Sequence, residues 1–431
     1  MKIQNIPETD LKRIVIVGGG FAGLQLIRVI SKKEFQTVLI DRNNFHQFQP
    51  LFYQVATAGL VPSAISFPFR KIFQKKEHTH FRMAEAQKID SEKQILHTSI
   101  GEIEYDYLVL SMGATTNFFG NKNIENHSLV MKSVGQALNL RNTILENYEA
   151  ALNESAPHRQ EALMKIVVVG GGPTGVELAG ALAEMKKFIL PKDYPELDFD
   201  LMSVYLLEGS SRVLASMSKN ASTKALSYLN ELNVDVRLNT IVTDYDGERV
   251  ALQEGDDLLS KSLIWAAGIS CPRIAGIPEE NYVHGNRLPV NEYNESLQMP
   301  NVFVLGDQAY QEEAKFPAGH PQVAQTAIQQ AKLLAKNLLR NKNGKKRLAF
   351  HYNNKGFMAT VGRNLAVADL PSFRFSGFFA WLIWMFIHLM SIVGVKNRLL
   401  IFVNWGWNYL TYDQSLRLLI RPNKKANDSE E

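Results

Sequence analysis

The chain says one thing twice. Ile14 to Leu26 reads IVIVGGGFAGLQL, and Ile166 to Leu178 reads IVVVGGGPTGVEL. Each stretch is a β-branched run, a G-x-G-x-x-G turn and the start of an apolar helix, the setting in which that glycine spacing signals a dinucleotide-binding βαβ unit. Gly18, Gly20 and Gly23 in the first copy match Gly170, Gly172 and Gly175 in the second. The turn needs them for steric reasons: a tight reversal, bare backbone against a pyrophosphate, and close helix-on-strand packing, with the helix N-terminus offering free N–H groups. Phe21, Ala22 and Thr174 fall inside these turns.

The likeness runs on downstream. TVLID ends a second strand on Asp41, followed by Arg42, and VYLLE ends its counterpart on Glu208. A carboxylate there can accept hydrogen bonds from ribose hydroxyls. Each copy continues through short strands and polar turns and closes on a buried strand running into glycine, LVLSMGA at Gly113 and LIWAAGI at Gly268. The first fingerprint glycine and the closing glycine are 95 residues apart in one copy and 98 in the other. One glycine-rich turn also occurs in folds that bind no nucleotide, but two in matched contexts point to two dinucleotides in one chain. The natural chemistry is hydride transfer from a nicotinamide to a flavin. Glu208 would repel a 2′-phosphate, which predicts NADH over NADPH, with Arg212 four residues on pulling weakly the other way.

With 431 residues the chain suits two or three domains, and its net charge of +4 gives no case for nucleic acid. Its single cysteine, Cys271, cannot build a disulfide, a Cys-rich metal site or a redox pair. The N-terminal residues lack an apolar signal-peptide core, so a cytoplasmic placement is expected. His388 stands in an apolar run without companion ligands, and no metal is assigned.

Together the two fingerprints, LVLSMGA, WAAG and NVFVLGDQA (Asn301 to Ala309) resemble the two-dinucleotide-binding-domain flavoproteins. That resemblance implies an α/β fold of two Rossmann-like domains, the first, discontinuous, holding FAD. The implied layout is an FAD domain over 1–120 and 290–340, a helical connector over 121–159, an NADH domain over 160–289 and a C-terminal membrane-anchoring segment over 341–431. It puts Asp307 on the flavin cofactor and turns Glu177 towards the nicotinamide and flavin rings. From its position alone, Glu177 is equally a carboxylate in the first turn of the second fingerprint helix, favoured by the helix dipole.

The helix following GDQA carries AQTAIQ, with Gln325 and Gln329 at i and i+4 on one face. Taken alone, these glutamines could be a solvated face. With DRNNFHQFQPLFYQVATAGL and GVKNRLLIFVNWGWNY, AQTAIQ resembles the type II NADH:quinone oxidoreductases, over nearly the whole chain. The resemblance implies non-pumping transfer of two electrons from NADH through FAD to a membrane quinone. It places Gln49 and Leu51 near the flavin, and Gln325, Gln329 and Lys396 on the quinone side, with Gln325 and Glu177 positioning and polarising. An NADH-dependent reductase of a soluble ferredoxin or rubredoxin, or a membrane-bound NADH-sensing flavoprotein, would share parts of this pattern.

No charged residue interrupts Phe375 to Val395, a window of 21 residues that could cross a bilayer. A single crossing would carry Lys396, Arg398, Arg417, Arg421, Lys424 and Lys425 to the far side, against the positive-inside tendency. Asn404, Asn408, Thr411 and Ser415 recur at helical spacing opposite Leu410, Leu416 and Leu419, and Trp405, Trp407, Tyr409 and Tyr412 suit a headgroup layer. Two helices lying on the cytoplasmic face of the cell membrane are therefore expected, with apolar surface that a homodimer could also bury. A cut before Phe375 is expected to release the protein from lipid while NADH still reduces the flavin.

Overall fold

The computed structural model describes residues 2–411 and 416–419. The chain forms two compact units. The first gathers Met1–Gln47, Ser66–Thr115 and Ile269–Lys355, the second Phe48–Ile65, Thr116–Gly268 and Gly356 onward.

The first unit is built on five parallel strands in the order Val302–Val304, Tyr107–Leu110, Lys12–Val17, Phe35–Asp41, Thr79–Met83. The three central strands are almost wholly buried, as continuous apolar runs in a sheet covered on both faces must be. The second unit repeats this with four parallel strands, Ser262–Trp265, Ile166–Val169, Val204–Leu207, Val234–Arg237. In both sheets the fingerprint strand lies between the strand that leads to the carboxylate and the strand that leads to the closing glycine. The extra strand of the first sheet is the one leading into Gly306 and Asp307, returned from far along the chain. Each unit also has the expected antiparallel meander, over Ala86–Glu104 and Val242–Leu259.

The spacing in MKSVGQALNLRNTILENYEAALNE predicts a helix, and one runs over Val134–Ala151, started by the Ser133 hydroxyl accepting from the Gln136 N–H. After an antiparallel sheet of Phe357–Thr360, Ala366–Asp369 and Arg374–Ser376 come two helices, Phe378–Ser391 and Val395–Thr411. The apolar window is therefore not one helix. Its first residues finish a strand, Gly377 adopts φ 84° before the first helix, and Gly394 at φ 86° separates the two. The first helix has 14 residues, about 21 Å of rise against about 30 Å of hydrocarbon. Among the described residues no helix is long and apolar enough to cross a membrane. The second helix ends at Thr411 rather than continuing through Leu416 and Leu419; Ser415 lies outside the described residues. The physical reason is visible at Arg141, whose guanidinium donates to the carbonyls of Leu416 and Leu418, while Arg417 pairs with Asp193.

Candidate functional site

Each unit carries one dinucleotide cradle, and the two are built alike. A Cβ on Gly18 would sit 2.4 Å from the Ser111 carbonyl oxygen, and one on Gly170 2.9 Å from Ala266. A Cβ on Gly23 or Gly175 would be 2.0 or 1.9 Å from the carbonyl oxygen of Gly18 or Gly170. Gly20 and Gly172 instead face open space, with nothing within 4 Å of an added Cβ. So two glycines of each fingerprint let the protein close on itself, and the middle one leaves room for a phosphate over the helix N-terminus. Ala22 is buried, Phe21 is half-buried and Thr174 is exposed in its helix's opening residues.

The carboxylates predicted to meet a ribose first brace the turns. Asp41 accepts from the N–H of Gly19 at 2.7 Å with one oxygen and from Asn43 at 2.7 Å with the other. Glu208 does the same with Gly171 at 2.5 Å and Ser210 at 2.7 Å. Burial raises the Asp41 pKa, opposed by those two N–H groups. Arg212 is occupied elsewhere, donating to the carbonyls of Met217 and Ala215, so it is held by its own loop. Arg42 is exposed beside Asp41.

Gly113 and Gly268 close their sheets with φ 70° and 75°. Gly113 faces Asp307, a Cβ there lying 4.0 Å from the carboxylate. The GDQ turn is clamped by residues whose role the sequence did not disclose. Gln308 accepts from the Met112 N–H at 2.6 Å, Gln330 accepts from Gly306 at 2.7 Å, and Gln322 donates to the Asp307 carbonyl at 3.1 Å. His46 is a further one: fully buried, its pKa lowered to about 4 by desolvation, it is neutral and its Nδ1–H donates to the Gly19 carbonyl at 2.9 Å. Glutamine and histidine at such positions read from sequence as ordinary surface or core residues, because the backbone groups they serve are distant along the chain.

On the helix Ala324–Lys342 the glutamines are not a solvated face. Gln330 is buried, and Gln329 exchanges two hydrogen bonds with the backbone of Asn353, at 2.9 and 3.0 Å. Gln325 is half-buried one turn earlier. In the second unit Gln49 is exposed, Leu51 is fully buried and Lys396 is exposed in the first turn of the last helix.

Glu177 also belongs to the second unit. It is the fifth residue of the helix Pro173–Phe188, so the dipole at the helix start does not account for it. It is 9% exposed, accepts a long hydrogen bond of 3.4 Å from the Thr360 N–H and another from the Trp384 indole, and burial pushes its pKa up to about 8. Its protonated form is therefore favoured at pH 7. Thr360, Trp384 and the neighbouring Tyr53, bonded to Thr360 at 3.1 Å, were not foreseen as its partners.

Two cradles of this geometry define the class, and the sequence model of the pyridine nucleotide-disulphide oxidoreductases matches residues 12–331. The NDH2 C-terminal domain matches 354–411. A type II NADH:quinone oxidoreductase of Mycobacterium tuberculosis is 34% identical over 93% of this chain and 88% of its own length. The chain belongs to the type II NADH:quinone oxidoreductase family. Among solved structures, NDH2 from Plasmodium falciparum in complex with NADH shares the fold at TM-score 0.87 and 20% identity, covering 95% of this chain and all of that one. The sulfide:quinone oxidoreductase of Aquifex aeolicus shares it at 0.71, over 90% and 92%.

Proposed function

We propose that this chain takes a hydride from NADH and delivers two electrons through FAD to a membrane quinone. The observation that carries the reading is the duplicated cradle, each copy with an open middle glycine and a braced carboxylate, in a chain of this family. Bound FAD supplies the two-electron relay between nicotinamide and quinone.

In this reading Gly18, Gly20, Phe21, Ala22, Gly23, Asp41, Arg42, Gln49, Leu51, Gly113 and Asp307 hold FAD. Gly170, Gly172, Thr174, Gly175, Glu208 and Gly268 hold NADH, and Gln325, Gln329 and Lys396 serve the quinone. The engagement of Gln329 with Asn353 favours Gln325 as the freer ligand of that pair. The braced Glu208 and the occupied Arg212 support NADH over NADPH, so kcat/KM should favour NADH by about a hundredfold or more; equal values would overturn this assignment.

The finer placement rests on the two C-terminal helices. Most of their outward residues are apolar, among them Phe379 at 73% and Leu410 at 80% exposed, which suits a protein lying on the cytoplasmic face of the membrane. The same surface could pair two copies of the chain. Bleaching of the bound flavin by NADH, followed by reoxidation with a lipid-embedded quinone, is the direct test. A flavin that NADH bleaches but no quinone restores would refute the function.

A further inference from the structure

The two cradles differ at one corresponding point. In the first, the closing glycine Gly113 faces the Asp307 carboxylate. In the second, a Cβ on Gly268 would lie 2.6 Å from the tip of the Phe119 ring and 3.4 Å from Asn117. An aromatic side chain covers the position that a carboxylate takes in the first cradle.

The segment carrying this ring is tied to the second cradle. The Asn117 N–H donates to the Gly268 carbonyl at 3.3 Å, and the Trp265 indole donates to the Asn117 carbonyl at 2.9 Å. Asn117 Oδ1 accepts from the Phe119 N–H at 2.9 Å, closing a turn in which Phe119 has φ 52°. That conformation is rare for a bulky residue, and residues held in it cluster at functional sites. Of the Phe118–Phe119 pair, Phe118 packs against the buried cluster that contains Trp265. Phe119 is 69% exposed and meets the Trp265 ring at a centroid distance of 6.5 Å. Core packing therefore accounts for the first phenylalanine and leaves the second unexplained.

Strands Val204–Leu207 and Ser262–Trp265 flank Ile166–Val169 on opposite sides. With the adenosine ribose at Glu208 and the pyrophosphate at the start of the helix Pro173–Phe188, a dinucleotide runs on towards Gly268 with its nicotinamide half. Thr174 of the fingerprint turn, Thr116 of the Phe119 segment, Trp265 and Gly268 all line one cavity of about 20 Å³, room for a single water. Turn and segment thus meet at the nicotinamide end.

Resting on the function proposed above, we propose that Phe119 positions NADH: its exposed ring packs against the nicotinamide half of the bound dinucleotide and keeps water from it during hydride transfer. Phe119 itself exchanges no proton or electron. The hydride carries both electrons of the nicotinamide C–H bond to the bound flavin, and NAD+ departs. An aromatic ring suits the role because it offers a large apolar face that can stack on another ring.

Because the ring is mostly exposed, Phe119→Ala should unfold at nearly the parent temperature. Stopped-flow bleaching of the FAD-loaded protein over a range of NADH concentrations gives a half-saturating concentration and a limiting rate. Phe119→Ala should raise the first about tenfold and lower the second, whereas Phe119→Tyr, which keeps the ring, should stay within about twofold of the parent in both. Reoxidation of the reduced flavin by quinone should stay near the parent rate in both variants, a split that a general loosening of the fold would not produce. Half-saturation and limiting rate within about twofold of the parent in Phe119→Ala would overturn the assignment, as would equal impairment of the alanine and tyrosine variants. A parent protein that NADH bleaches and no quinone restores would refute the proposed function, while the bleaching comparison still decides the role of Phe119.

Discussion

At the scale of single residues, the fingerprint glycines separate binding from folding. A side chain at Gly172 would enter open space from extended backbone at φ −71°, whereas one at Gly175 would strike the Gly170 carbonyl. Gly172→Val should therefore unfold within about 0.5 kcal/mol of the parent and lose NADH affinity by roughly tenfold or more, about 1.4 kcal/mol. Gly175→Ala should lower stability itself, by about 1–3 kcal/mol. Thermal unfolding alongside NADH titration distinguishes the two, and a stable Gly175→Ala protein would contradict the packing role. The glycines and the two carboxylates were legible because each answers a local requirement of a strand–turn–helix. Gln308, Gln330 and His46 were not, since the backbone groups they satisfy lie 24 to 196 residues away.

At the scale of elements, the C-terminal helices have two faces. Trp384 is 1% exposed and Ala380 is fully buried, so the first helix packs into the unit it follows, and Trp384 touches Glu177. Removing everything from Phe375 would open that core, and the expectation that such a cut leaves flavin reduction intact changes: truncation should impair both activities. The proposed attachment face is better probed from outside. Replacing Phe379, Phe386, Phe402 and Leu410 with serine should weaken sedimentation with anionic vesicles and lower turnover with lipid-embedded quinone. Turnover with a water-soluble quinone should stay near the parent value; its loss would mean these residues serve the fold. The sequence pattern gave an apolar stretch of the right length to span. Only the placed glycines divided it.

At the scale of the whole molecule, buried ionisable groups set the pH dependence. The folded pKa values of Glu177 and Glu184, about 8 and about 7, lie above the ordinary carboxylate range. Their contribution to stability is complete below the unfolded pKa and is lost as pH rises through the folded values. His388, at about 4 when folded, works the other way: the unfolded chain binds its proton more tightly below about 6.5, so its contribution grows from pH 4 to 6.5. The three terms partly offset below pH 6.5, and above it only the carboxyls act. Stability of the second unit should fall between pH 6.5 and 8, each carboxyl contributing up to about 1.4 kcal/mol per pH unit, and Glu177→Gln should flatten that fall. Denaturant unfolding at several pH values checks it, and a steeper slope in the variant would refute it. The sequence by itself determined the two cradles, their order and their dinucleotide chemistry, because a phosphate-binding turn depends on short-range sterics that every such sequence must meet. Tertiary structure alone decided which carboxyls are neutral, which glutamines are structural and how the apolar tail divides between core and surface, because burial and hydrogen-bond partnership are set by residues far apart in the chain.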